Sequence, residues 1–281
     1  MARWKSVAIL GVGLIGGSIG LALRKRGLSD EIVGIGHRQV TLDSALAVQA
    51  VSTATTDLAA GVADAEIVIV CTPVLQIVPL VQQIASCCRP DTLITDAGST
   101  KAGLADRLGR ILAPSTRYVG SHPLAGSDKS GVGFADADLF QDRVVVVAGS
   151  SRNSRMDVEA VTEFWQALGA RCVEMTPDDH DRAVAITSHL PHVVASLLAG
   201  LTPVEHRSLV AGGWLDTTRI AAADEELWAQ ILLENRDHLL PLIESYREQL
   251  EELTEALQRG DRTALTAQLR MGKQRRNAVA S

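Results

Sequence analysis

Cysteine is sparse in this chain: Cys71, Cys87, Cys88 and Cys172 are the only four in 281 residues. Four thiols without a CxxC pair exclude a disulfide framework and a paired-cysteine zinc site, and they suit a reducing, cytoplasmic compartment. Sustained basic runs are missing too. With 27 Lys+Arg against 33 Asp+Glu the formal net charge is −6, which does not suit a protein that grips a nucleic-acid backbone. Lysine is absent between positions 130 and 272, which tells against a lysine base in the second half of the chain. What is present is ordinary for a folded globular protein: 46% hydrophobic and 21% charged residues, in a length that allows one large domain or two smaller ones.

The longest apolar stretch, residues 6–23 (SVAILGVGLIGGSIGLAL), lies between basic flanks and so invites a membrane reading. Its many glycines and serines, and the lack of an A-x-A cleavage site, argue for a different origin. Short apolar runs at Val7–Leu10, Ile32–Ile35, Ile67–Cys71, Leu93–Thr95, Tyr118–Gly120 and Val144–Ala148 read as strands. Amphipathic segments at Leu14–Arg26, Thr41–Gln49, Leu75–Ile84 and Lys101–Leu112 alternate with them. Fully apolar strands alternating with helices predict a parallel sheet covered on both faces. Beyond Thr176 the strand signal stops. Thr176-Pro177-Asp178-Asp179 reads as an N-cap, a first-turn proline and an acidic first turn. An α/β domain over 1–175, followed by an all-helical domain over 176–281, is the expected organisation.

Gly11-Val12-Gly13-Leu14-Ile15-Gly16 follows a strand directly and opens a helix. In that context Gly11 allows the tight turn, Gly13 lets a pyrophosphate approach the backbone, and Gly16 lets helix pack on strand. A dinucleotide is therefore expected, with Gly11, Gly13, Leu14, Ile15, Gly16, His37, Arg38, Thr72 and Pro73 as its candidate contacts. An NAD site would carry a carboxylate at the end of the second strand, where this chain reads Gly36-His37-Arg38-Gln39. Arg38, with His37, suits a 2′-phosphate instead, so NADP is expected over NAD.

Several polar clusters remain. Asp96-Ala97-Gly98-Ser99-Thr100-Lys101 follows a strand, where ligand contacts collect, although Ser99 or Thr100 could equally cap the next helix. His122, followed at once by Pro123, is expected in an extended or turn backbone after another strand. Ile186, Leu190, Val193, Leu197 and Leu201 share one helix face, Ser188, His192 and Ser196 another, with His189 beside them. Pro191 frees the carbonyl of Thr187 and predicts a kink. These histidines lack a Glu/Cys set at ligand spacing, so no metal site is expected. Arg219, in Trp214–Arg219 after the Gly212-Gly213 break, has the character of a bidentate carboxylate clamp.

Taken in order, GVGLIGGS, DAGSTK, GSHPLAGSDKSG, HD…SHLPH and WLDTTRIA…LW…N resemble the prephenate/arogenate dehydrogenases of tyrosine biosynthesis, over nearly the whole chain. The resemblance implies a Rossmann-type dinucleotide-binding domain followed by a helical dimerisation domain. It implies oxidative decarboxylation of a cyclohexadienyl acid, with hydride passing to nicotinamide. By the family motif His122 accepts the proton of the ring hydroxyl and Ser99 orients it. Arg219 holds a carboxylate, Ser188, His192, Gly212 and Trp228 line the substrate pocket, and Ser127 and Asp128 stand near its mouth. Asp128 departs from relatives with Glu there, and Gly36-His37-Arg38 departs from NAD-type members with Asp.

Two other readings make different demands. Another NAD(P)-dependent hydroxyacid dehydrogenase of this two-domain build would need a catalytic lysine or a histidine placed elsewhere. A non-catalytic NADP-sensing protein would have no use for His122, His192, Arg219 and Ser99 together. In the tail, Ile243, Tyr246, Leu250, Leu253 and Leu257 recur at spacings of three and four, an apolar seam opposite a charged face. A homodimer that buries Leu250 and Leu253 is the expected assembly, with a small-molecule substrate and neither nucleic acid nor membrane as partner.

Overall fold

The computed structural model describes residues 3–126 and 129–279. Its first part is a single eight-stranded sheet. The strands, in chain order, are β1 (Trp4–Leu10), β2 (Ser29–Ile35), β3 (Thr53–Thr55), β4 (Ile67–Val70), β5 (Leu93–Asp96), β6 (Arg117–Pro123), β7 (Val144–Ala148) and β8 (Arg171–Met175). They lie side by side as β3-β2-β1-β4-β5-β6-β7-β8. Helices α1 (Leu14–Lys25), α2 (Gln39–Ala47), α3 (Leu58–Val62), α4 (Val74–Cys87), α5 (Ala102–Ile111) and α6 (Arg155–Ala167) cover it. Alternate residues of β1 feed two apolar layers. Val7 and Ile9 join Ile19, Leu23, Phe140 and Trp165 on one face, while Ala8 and Leu10 join Ile77, Val81, Leu104 and Leu108 on the other. Strand order reverses at β1, so a crevice opens beyond the carboxyl ends of β1 and β4.

Three differences from the sequence reading have physical causes. β6 pairs antiparallel with β7, His122 opposite Val146, so the sheet is not wholly parallel. No crossover helix of useful length lies between these two strands, and a parallel return would need one. β3 and β8 are extra edge strands, short or largely exposed, without the apolar run that marks a buried strand. Residues 6–23 form β1, the glycine turn and α1 rather than one continuous span.

The second part is helical: α7 (Pro177–Val184), α8 (Leu190–Leu201), α9 (Gly212–Thr218), α10 (Glu225–Glu234), α11 (Arg236–Arg259) and α12 (Arg262–Val279). Thr176 caps α7, its hydroxyl accepting the Asp179 N–H at 3.1 Å. A π-helical turn at Ala185–His189 joins α7 to α8, with the Leu190 N–H donating to the Ala185 carbonyl. Thr187, whose carbonyl Pro191 leaves without its usual helical partner, falls within this wider turn. By length and composition alone the run Pro177–Leu201 could cross a membrane, but its His180, Asp181, His189 and His192 are buried against protein. On its apolar face Leu190 is buried while Ile186, Leu197 and Leu201 remain exposed. α12 packs along α11, and a groove of about 320 Å³ between them is lined by Tyr246, Leu250, Leu253 and Leu269. Leu250 (53%) and Leu257 (59%) stay exposed in the single chain.

Candidate active site

Two clefts open at the carboxyl edge of the sheet. The first, of about 720 Å³, lies over the β1 and β4 ends and is lined by Gly11, Gly13, His37, Arg38, Thr41, Thr72 and Pro73 among others. Gly11 has φ +92°, a conformation that favours glycine, and it turns the chain from β1 into α1. A side chain at Gly16 would sit 2.3 Å from the Gly11 carbonyl oxygen, so α1 rests directly on the loop. A side chain at Gly13 would meet nothing within 4 Å and would project into open space. Leu14, Ile15 and Gly16 form the first turn of α1, where no side chain caps the helix and the first backbone bond runs from Gly17 N–H to the Gly13 carbonyl. Leu14, Ile15 and Gly16 do not line the cleft with side chains; what they present is uncapped amides. The buried Thr72 Oγ1 has no hydrogen-bond partner. An open glycine, uncapped helix amides and an orphaned hydroxyl fit the pyrophosphate of a dinucleotide. Among the described residues no Asp or Glu lines this cleft, and His37 and Arg38 are exposed at its rim.

The second cleft, of about 730 Å³, lies between the β5 and β6 ends and the helical part. Ser99, His122, Ser188, His189, Arg219 and Trp228 line it. His122 sits on β6 itself, not in a loop beyond the strand. Its neighbour Ser121 is buried, donating to the Asp96 carbonyl and accepting from the Trp165 indole at 2.8 Å, which braces the strand. Neither Ser99 nor Thr100 caps α5. Instead the Asp181 carboxylate, from α7, accepts the Lys101 and Ala102 amides at 2.8 Å each. Ser99 is thereby left half-buried at the cavity wall. Arg219 follows α9 and opens a 3₁₀ turn, and its guanidinium has no ion-pair partner among the described residues. Trp228 stacks on His192 (centroids 3.6 Å, planes 9° apart) and meets His189 edge-on at 6.0 Å. His192 is thus buried behind Trp228 and does not line the cavity. Gly212 is exposed at the start of α9 and does not line it either. Ser127 and Asp128 lie outside the described residues.

The sequence reading assigned no role to a polar chain behind His122. His122 Nδ1 is 2.8 Å from His180 Nε2, and His180 Nδ1 is 2.7 Å from Asp181 Oδ1. Asn235 Nδ2 donates to the Asp181 carbonyl at 2.8 Å and to His189 Nδ1 at 2.9 Å. Buried Lys101 pairs with Asp96, whose Oδ2 also accepts from Tyr118. Burial, then the nearby His180, Lys101 and His189, hold the His122 imidazole well below its ordinary range. Burial lowers His189 to about 4 despite the opposing charge of Asp181. For Asp181 itself burial works upward, but hydrogen bonds from His180, Ala102 and Lys101 prevail and hold the carboxyl below its usual range. The cavity is thus lined by neutral imidazoles and one guanidinium. The adjacent His180-Asp181 pair was visible in the sequence, but its partner lies 58 residues upstream.

Comparison with known proteins agrees with this geometry. Residues 19–174 match the model of the prephenate dehydrogenase nucleotide-binding domain, and residues 176–271 that of the prephenate dehydrogenase dimerization domain. Prephenate dehydrogenase of Bacillus subtilis is 32% identical over 98% of this chain and 76% of its own. Cyclohexadienyl dehydrogenase of Zymomonas mobilis is 33% identical over 92% of this chain and 90% of its own. The crystal structure of prephenate dehydrogenase from Aquifex aeolicus with hydroxyphenyl propionate and NAD+ superposes with a TM-score of 0.89 at 28% identity, covering 98% of each chain. With a dinucleotide cleft, a histidine-lined cavity beside it and both family domains in register, the chain belongs to the prephenate dehydrogenase family and is an NAD(P)-dependent dehydrogenase of tyrosine biosynthesis.

Proposed function

We propose that the protein carries out NADP-dependent oxidative decarboxylation of prephenate or arogenate. The observation that carries this reading is the convergence of Ser99, His122, Ser188, Arg219 and Trp228 on one cavity beside the dinucleotide cleft. When bound, NADP supplies the nicotinamide ring that accepts the hydride as carbon dioxide leaves and the substrate ring becomes aromatic. His122 takes the proton of the ring hydroxyl, because a partly deprotonated alcohol is the better hydride donor and a neutral imidazole suits that task. Ser99 orients the hydroxyl, and Arg219 holds a substrate carboxylate by a bidentate contact. Ser188 and Trp228 shape the wall, with His192 supporting Trp228 from behind.

In support of NADP, the cleft lining among the described residues holds no carboxylate and carries Arg38 and His37, side chains suited to a 2′-phosphate. NAD is the second reading, since the A. aeolicus relative is described with NAD+. In this proposal residues 1–175 hold the cofactor and 176–281 complete the substrate pocket. Two chains pair through the helical part, burying Leu250 and Leu253, and the enzyme works in the cytoplasm. Absorbance at 340 nm, followed with prephenate and arogenate in turn and with each cofactor, tests the reading. Reduction of NADP with either acid is expected, and none with either acid and either cofactor overturns it.

A further inference from the structure

The polar chain behind His122 leads away from the cavity into closed protein. His180 is 0% and Asp181 1% exposed. We propose that His180 and Asp181 are positioning residues that hold His122 with its proton on Nδ1, so that Nε2 faces the substrate bare. This deepens the functional reading above and rests on its choice of His122 as the base.

The argument follows hydrogen-bond polarity from the far end. The Asp181 carboxylate accepts the Lys101 and Ala102 amides and faces His180 Nδ1. An ionised carboxylate has only acceptors, so the proton in the His180–Asp181 contact belongs to His180 Nδ1. A neutral ring carrying that proton offers only a lone pair at Nε2, 2.8 Å from His122 Nδ1. One proton fits this second contact, and it is then that of His122. The bare nitrogen left is His122 Nε2, the form a base requires. Once Nε2 has taken the hydroxyl proton, the imidazolium stays bonded at Nδ1 to a ring backed by a carboxylate, an arrangement that stabilises it without the carboxylate taking a proton. Around His122 stand His180 and Asp181 from α7, Lys101 with Asp96 and Tyr118 from β5, β6 and the loop after β5, and His189 from the π-helical turn.

The test uses the full-length enzyme with ¹⁵N-labelled histidine. In the wild type the His122 ring is expected as the Nδ1–H tautomer in a ¹⁵N spectrum at neutral pH; the Nε2–H tautomer would overturn the proposal. Asp181→Asn removes the charge behind His180 and sets an NH₂ against at least one of the three donors that its oxygens accept, so kcat should fall by about 10²–10⁴-fold. Substrate KM and NADP Kd should stay within about three-fold. His180→Leu, which offers His122 no acceptor, should lose a similar factor. His180→Gln, whose carbonyl can stand where Nε2 stood, should recover at least about ten-fold of that loss. Asp181→Asn and His180→Leu enzymes that bind NADP normally and turn over within about three-fold of wild type refute the positioning role. Should the wild type reduce no cofactor with either acid, the functional reading falls, while the tautomer spectrum still decides this one.

Discussion

Lowering the pH should destabilise this protein through a residue at the wall of its own cavity. His189 is 1% exposed, and its Nδ1 accepts a hydrogen bond from Asn235 at 2.9 Å. Burial, against the opposing pull of Asp181, lowers its pKa from 6.5 to about 4. The folded value lies below the unfolded one. Between about pH 4 and 6.5 the unfolded chain therefore binds a proton that the folded chain refuses, and stability falls as pH drops through that window. The linkage integral over these two values gives a loss of about 2 kcal/mol from pH 7.5 to 5, approaching about 3 kcal/mol near pH 3.5. His189→Asn keeps an acceptor near the position of Nδ1 and removes the titration. Urea unfolding of wild type and variant at pH 7.5 and 5, at one protein concentration because assembly shifts apparent stability, measures the effect. The wild type should lose about 2 kcal/mol more than the variant over this interval, since the shared carboxylates cancel in the difference. Equal losses, within about 0.5 kcal/mol, would show that His189 is not the neutral, buried acceptor described.

His122→Asn should cut turnover by about 10²–10⁴-fold while NADP affinity barely changes. Because burial and its neighbours hold this imidazole below 6.5, wild-type kcat/KM should stay level as pH falls to 6.5 and decline only beneath it; a decline centred above 6.5 contradicts that. Arg219→Ala should raise substrate KM by about one to three decades, more than kcat falls, and an unchanged KM removes the clamp. Arg38→Ala should weaken NADP selectively, whereas equal loss for NAD and NADP, measured by fluorescence titration, contradicts a 2′-phosphate contact. Sedimentation equilibrium at micromolar concentration should give a dimer of the 29.9 kDa chain, and a folded, active monomer rules the pairing out.

The parts of the fold that were legible from sequence are those where burial writes a pattern. Val7–Leu10 and Ile67–Val70 are apolar throughout because both their faces are covered. Thr53–Thr55 and Arg171–Met175 are edge strands with much of their surface wet, and they leave no such mark. His122 was expected beyond a strand in an extended or turn backbone; it is extended but lies within β6, since a proline is tolerated at a strand end. In the site, residues carried by short motifs were readable: His122, Ser99, Arg219 and the glycines. Those whose role lies in contact across the chain were not. Asp181 stood in the HD…SHLPH block without a role, and only the folded chain brings it to α5, 80 residues earlier in sequence. Asn235 closes the WLDTTRIA…LW…N block, but its bonds to Asp181 and His189 depend on how α10 and α11 meet. Gly212 and His192 show the converse, since motif membership did not bring them to the cavity lining.

The capping of α5 by Asp181 has a consequence for how the enzyme can move. Lys101 and Ala102 belong to the sheet-bearing part, and the carboxylate that satisfies their amides belongs to the helical part. A rigid swing of one part away from the other would exchange two hydrogen bonds to a carboxylate, from the buried Lys101 and the half-buried Ala102, for bonds to water, at a cost of about 1.5–3 kcal/mol each. It would also break the Arg107–Glu234 pair between α5 and α10. Breathing about the junction near residue 176 is therefore expensive. The amide hydrogens of Lys101 and Ala102 should exchange with solvent only when the two parts undock, which makes them native-state gauges of that rare opening.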